Sequence, residues 1–120
     1  MADRVLTISW GAVVPGAEER GLEVFNEALG LMGRMQQDGK IESFHVVLMS
    51  ADSEAGGYIE VQGSAAQLAA IREDDAFLRN TIDADLVVQN LRHSTGYTND
   101  GIAKIMGMYQ EAIAKIPQRA

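Results

Sequence analysis

The feature that most constrains this chain is its hydrophobic spacing, which switches repeatedly between period two and period 3.6. RVLTISWGA opens the series as a strand, with Leu6, Ile8 and Trp10 on one side and Val5, Thr7 and Ser9 on the other. VVPG stops it, because Pro15 removes a backbone donor and Gly16 frees the chain to turn. A helix over about residues 17–38 follows, with Glu18 and Glu19 in the first turn, where the helix dipole favours negative charge. Leu22, Phe25, Leu29 and Met32 form one apolar stripe on it; Val24, Ala28, Leu31 and Met35 form a second. That face is wider than one flat sheet needs. Gly39 ends the helix as a C′ residue.

IESFHVVLMS reads as a second strand, alternating Phe44, Val46 and Leu48 with Ser43, His45, Val47 and Met49. ADSEAGG is a turn. YIEVQG is a third strand, with Ile59 and Val61 opposite Tyr58, Glu60 and Gln62. The short connection makes a hairpin. Ser64 followed by Gln67 matches a capping box opening a helix over about residues 65–72, with Leu68 and Ile71 facing in. EDDAFLRN adds a turn or two after a kink, and DLVVQNLRHS reads as the fourth strand. A last helix spans about residues 99–116, capped by Asn99 or Asp100, with a stripe of Ile102, Ile105, Tyr109, Ile113 and Ile116. The order β-α-β-β-α-β plus a C-terminal helix predicts an α+β, ferredoxin-like domain over residues 1–120, with a four-stranded antiparallel sheet carrying helices on one face.

Composition narrows the function classes. No run approaches the eighteen apolar residues of a membrane span, and the N-terminus lacks a basic segment followed by a long apolar one. The absence of cysteine excludes disulfide and thiolate chemistry. A formal charge of −7, with basic residues scattered singly from Arg4 to Arg119, argues against nucleic acid and against a polybasic membrane patch. A cytoplasmic location is expected from these features.

If Phe44, Val46, Leu48, Ile59 and Val61 face the helices, Val47 and Met49 remain on the open side. Strand one is apolar in both registers. So is the fourth strand as read, with Leu86 and Val88 against Val87 and Leu91. A sheet apolar on both faces must bury both, and a second copy of the same sheet is the simplest cover. The sequence therefore predicts a homodimer.

The order of elements, the VVPG break, the hairpin ESFHVVLMSADSEAGGYIEVQG and the helix SAAQLAAIREDDAFLRN together resemble the dimeric α/β-barrel superfamily over about residues 3–95. The chain is similar to small bacterial members of that superfamily with no known activity. The resemblance implies a homodimer whose two sheets close an eight-stranded barrel, with ligand pockets between each sheet and its own helices. Superfamily activities include cofactor-independent monooxygenation, lactone isomerisation, haem degradation and dye-decolorising peroxidation. None of their catalytic motifs maps onto this sequence residue by residue.

The candidate catalytic residues are the two histidines. His45, mid-strand between Phe44 and Val46, reads as a general base or axial haem ligand, or as a hydrogen-bonded histidine at a dimer face or solvated edge. LRHSTGYTND concentrates Arg92, His93, Tyr97 and Asp100. Arg92 and His93 point to opposite faces, so only one can reach a given cavity; the other reading is a strand end reaching solvent. Tyr97 either closes a pocket or anchors the last helix. Trp10 is a candidate for stacking a planar ligand, with a core role as the alternative, and Tyr58 is a candidate for lining or rimming the same cavity. Gly30 and Gly33 within the first helix, and Gly107 within the last, imply close approach of a backbone or ligand. Met32, Met35, Met106 and Met108 read as adaptable core filler. No metal-ligand spacing, GxSxG, GxGxxG or Walker sequence occurs. The expected function is binding of a small planar molecule between sheet and helices, without a dedicated cofactor, haem being left open. The alternative is a cofactor-independent monooxygenase or isomerase acting on an aromatic, quinone or lactone substrate with a histidine as base.

Overall fold

The computed structural model describes residues 2–117, so Arg119 lies outside the described residues. The elements are β1 (Arg4–Trp10), α1 (Glu18–Gln37), β2 (Ser43–Leu48), β3 (Gly57–Gly63), α2 (Ala65–Arg72), α3 (Asp75–Val87), β4 (Arg92–Tyr97) and α4 (Asp100–Ala114). The strands form one sheet in the order β2-β3-β1-β4, every neighbouring pair antiparallel. This is the ferredoxin-like arrangement, with α1, α2 and α3 on one face.

Local chemistry sets the boundaries. Gly39 takes φ +74° just past α1, as its C′ reading requires. Ser64 accepts from the Gln67 N–H at 3.1 Å while its own N–H donates to Gln67 Oε1 at 2.8 Å, completing the capping box of α2. Asp74, within the acidic EDD run, is the N-cap of α3 and accepts from the Ala76 and Phe77 N–H groups at 2.9 and 3.2 Å.

The core is dense at one end of the sheet. Leu6, Ile59 and Val61 meet Leu31, Met32 and Met35 of α1, Leu68 and Ile71 of α2, Phe77 of α3, and Ile41. Leu6 and Val61 are fully buried. Of the buried residues on α1, Leu31, Met32 and Met35 lie in its C-terminal half, with Val24 buried nearer the start. Its N-terminal half, with Leu22, Phe25 and Ala28, lies beside the far end of β1, where the layers separate.

Several expectations are corrected. DLVVQNLRHS is not a strand: residues 85–87 are the last turn of α3, and β4 is the polar segment that follows. Phe77, Asn80, Ala84 and Val87 recur at helical spacing, and polar Asn80 hides that period in the sequence. A trace of the strand reading survives beyond α3. Val88 bridges to Val13, the Gly11 N–H donates to the Gln89 carbonyl at 2.7 Å, and Asn90 at φ 55° then redirects the chain into β4.

The register that follows makes the outer sheet face mixed rather than greasy. It carries Val5, Thr7 and Ser9; His45 and Val47; Tyr58, Glu60 and Gln62; and Arg92, Ser94 and Gly96. Much of the exposed apolar surface lies on helices instead, with Leu48 of β2 also exposed. Ile102, Met106, Met108, Tyr109 and Ile113 of α4 are each at least half exposed, so Met106 and Met108 are not core filler. α4 packs chiefly on β4, and the radius of gyration, 17.2 Å, exceeds the roughly 13–14 Å of a compact chain this long. Its start is fixed: Asn99 Nδ2 donates to the Ala2 carbonyl at 2.6 Å, and a Cβ on Gly101 would meet the Asp3 carbonyl oxygen.

No close approach explains the interior glycines: a Cβ on Gly33 or Gly107 would meet nothing within 4 Å, and one on Gly30 only the Arg34 guanidinium. Gly33→Ala is therefore expected to raise stability by about 0.5–1 kcal/mol, through helix propensity alone, in a chemical-denaturation curve with unchanged slope.

Candidate functional site

Where the layers separate, a cavity of about 740 Å³ opens between sheet and helices. The end of β1 gives Ile8, Trp10 and Gly11; α1 gives Leu22, Val24, Phe25 and Ala28; α3 gives Asn80, Ala84 and Val87. Met49, Ser53 and Glu54 of the β2–β3 loop and Glu18 at the start of α1 complete its lining. The walls are apolar, and the polar groups are few.

The geometry follows from local constraints. Trp10 and Phe25 meet with ring centroids 5.8 Å apart at an interplanar angle of 60°. The Gly56 N–H donates to the Trp10 carbonyl at 2.8 Å, pinning the loop to the end of β1. A Cβ on Gly56 would strike the Gly11 carbonyl oxygen and the Trp10 ring, so the approach requires glycine. Across the cavity, α1 and α3 are tied by polar contacts. Asn80 Nδ2 donates to the Val24 carbonyl at 3.3 Å, and Arg20, also paired with Glu23 and Glu27, reaches Asp83 at 3.3 Å.

The predicted site residues do not converge. Trp10 alone lines this cavity. His45, Tyr58 and Arg92 occupy the opposite face of the sheet, where His45 is the cross-strand neighbour of Glu60 and Tyr58 lies opposite Ser9 and Val47. Tyr97 sits at the other end of β1, its ring 4.4 Å from the Arg4 guanidinium carbon, next to the start of α4.

His93 does face the helices, opposite Ile8, with its ring centroid 5.4 Å from that of Phe77. It lines a shallower depression of about 390 Å³, together with Thr81, Ile82, Asp85, Leu86 and Leu91. Leu91 lines both spaces and stands between them. Burial, reinforced by the positive charge of Arg72, holds the His93 imidazole below its ordinary pKa, so the ring is neutral at pH 7.

Neither histidine lines the larger cavity, so its residues do not fit a haem needing an axial imidazole there. Among the described residues no cluster of three His, Cys, Asp or Glu side chains could hold a metal ion, and no helix is long and apolar enough to cross a membrane. Sequence reasoning missed Leu22, Phe25, Ala28 and Asn80 as cavity residues. The over-wide apolar face of α1 was the signal for the first three; Asn80 gave none.

No protein-family model and no curated protein matches the chain. Solved structures share its fold at low identity. A dimeric ferredoxin-like protein of unknown function from Bacteroides fragilis superimposes with a TM-score of 0.61 at 10% identity, over 79% of this chain and 96% of that one. SnoaB from Streptomyces nogalater, a cofactor-independent oxygenase, gives 0.58 at 14%, over 82% and 95%. The hydroxynitrile lyase of Passiflora edulis gives 0.63 at 8%, over 82% and 96%. The chain thus has the ferredoxin-like fold common to this group of small α+β proteins.

His93 offers a pH test. A histidine with a depressed folded-state pKa binds fewer protons than the unfolded chain, so it costs stability as pH falls below about 6.5 and has no effect well above that value. NMR titration is expected to place the His93 midpoint below 6.5. His93→Gln should flatten the loss of stability on acidification from pH 7 to 5.

Proposed function

We propose that the protein is a homodimer binding a small, planar, uncharged molecule in the cavity between its sheet and helices. The carrying observation is the 740 Å³ apolar-walled space with Trp10 and Phe25 in its lining. Its volume lies in the roughly 300–1,000 Å³ range of small-molecule sites. Two tilted aromatic rings supply faces for a flat ligand, and Asn80 supplies a polar side chain on the wall. The titratable side chains of the described lining are Glu18 and Glu54, both acidic, so an anion meets like charge at the rim and a neutral molecule does not.

The homodimer reading rests on the exposed apolar face of α4, together with the B. fragilis protein of the same fold being dimeric. Apolar patches on the order of several hundred Å² mark interaction surfaces on soluble proteins.

A second reading, a cofactor-independent enzyme acting on an aromatic, quinone or lactone substrate, has support in His93 and in the fold shared with SnoaB. A half-buried neutral imidazole can accept a proton at pH 7. It stands in the smaller depression, however, with Leu91 between it and the chamber of Trp10. The geometry therefore supports binding in the large cavity better than acid–base chemistry there.

Trp10 is the only tryptophan, so its fluorescence reports the cavity directly. Neutral bicyclic aromatics, quinones and lactones are expected to quench it saturably, and their sulfonated or carboxylated analogues to bind at least tenfold more weakly. Ala28→Phe, which fills the cavity, should abolish the quenching. Absence of both quenching and thermal shift across the panel overturns the ligand reading. Sedimentation at micromolar concentration should give twice the 13.0 kDa chain mass.

A further inference from the structure

The side chains of the large cavity's lining that carry nitrogen or oxygen are Trp10, Glu18, Ser50, Ser53, Glu54 and Asn80. Glu18, Ser50, Ser53 and Glu54 are exposed and reach water, whereas Trp10 and Asn80 are half-buried. A polar atom withdrawn from bulk water needs a partner in the protein, in a held water or in a ligand.

Asn80 is only half satisfied. Its Nδ2 donates to the Val24 carbonyl at 3.3 Å. A carbonyl accepts and cannot donate, so that bond fixes which end of the amide is the nitrogen. Among the described residues nothing donates to the other end, Oδ1. Trp10 is the complement: its indole N–H meets no acceptor among the described residues. The pyrrole edge of the ring lies against Gly56, where a Cβ would stand 2.6 Å from Cδ1 and 2.8 Å from Nε1. A side chain there would cover the N–H. Neither atom is sealed off, since among the described residues no buried side-chain nitrogen or oxygen lacks a partner. One apolar cavity thus has a free donor on its sheet layer and a free acceptor on its helix layer.

We propose that the cavity selects a neutral planar molecule bearing a carbonyl, which accepts from the Trp10 indole N–H, and a separate N–H or O–H, which donates to Asn80 Oδ1. This selectivity rests on the cavity-binding reading proposed above and names the ligand's polar groups. Trp10 and Asn80 come from different layers, β1 and α3, so the two groups stand on opposite edges of the ligand. A ligand lacking either group displaces water and leaves the matching protein atom unpaired, which is what makes such a pair discriminate.

Naphthalene, chromone and 4-quinolone are fused bicycles of similar size. They offer neither group, the carbonyl alone, and the carbonyl with an N–H on the opposite edge. Calorimetric titration of the full-length wild-type chain is expected to show affinity rising by about threefold or more at each step of that series. Trp10→Phe keeps an aromatic face and should erase the advantage of chromone over naphthalene. Asn80→Leu keeps the side-chain volume and should erase the advantage of 4-quinolone over chromone while leaving that of chromone over naphthalene. Ratios between ligands within one variant do not depend on its folded fraction, so a destabilised variant still reports. A missing step in the wild-type series, or ratios unchanged in the variants, overturns the proposal and leaves the cavity-binding reading standing. Binding of none of the three compounds removes both.

Discussion

The packing of α1 across the sheet governs the rest of the structure. Its C-terminal half, through Leu31, Met32 and Met35, is buried against Leu6, Ile59 and Val61 with no room to spare. A twenty-residue helix fixed at one end carries its other end along. Toward that end α1 lies beside Trp10 and Ile8 with space between the layers, and α3 braces it through Asn80 and the Arg20–Asp83 pair. A hollow held open by a packed core is preorganised, so a ligand entering it need not bear the cost of ordering the site.

The two faces of the sheet divide the chemistry. The inner face holds Trp10 and His93 in adjoining spaces, separated by Leu91. The outer face holds His45, Tyr58, Glu60 and Arg92, with Val5 and Val47 among them. Strand alternation makes this division unavoidable, since neighbouring residues such as Arg92 and His93 must point oppositely. No arrangement of one chain can assemble all six candidate side chains into a single site. Much of the apolar surface left over lies on α3 and α4, where Leu78, Ile82 and Leu86, and Ile102, Met106 and Tyr109, are exposed.

Much of the fold was legible because its signals are local. The alternation in β1 and β3, the Ser64–Gln67 capping box and the positive-φ Gly39 each depend on a few adjacent residues, and each appears as read. The failure at residues 85–97 is equally physical. LVV is apolar in both registers, and a short apolar run cannot distinguish a helix end from a buried strand. β4 itself, RHSTGY, is an edge strand with little to bury, so it shows no hydrophobic alternation. That one shift made the outer sheet face look greasier than it is, and it moved the case for a partner from the sheet to the helices.

Sequence by itself determined the order of the strands, the α2 capping box and the hairpin, the absence of thiol chemistry and the acidic charge, because these depend on composition or on neighbours within a few positions. Tertiary structure alone decided that Trp10 and Phe25 share a cavity, that His93 faces a different space, and that Ile102, Met106 and Tyr109 of α4 are exposed. Those facts depend on how far apart two packed layers stand and on which residues lie opposite one another across the sheet. Distances of that kind come from contacts between distant segments, and no local pattern of residues records them.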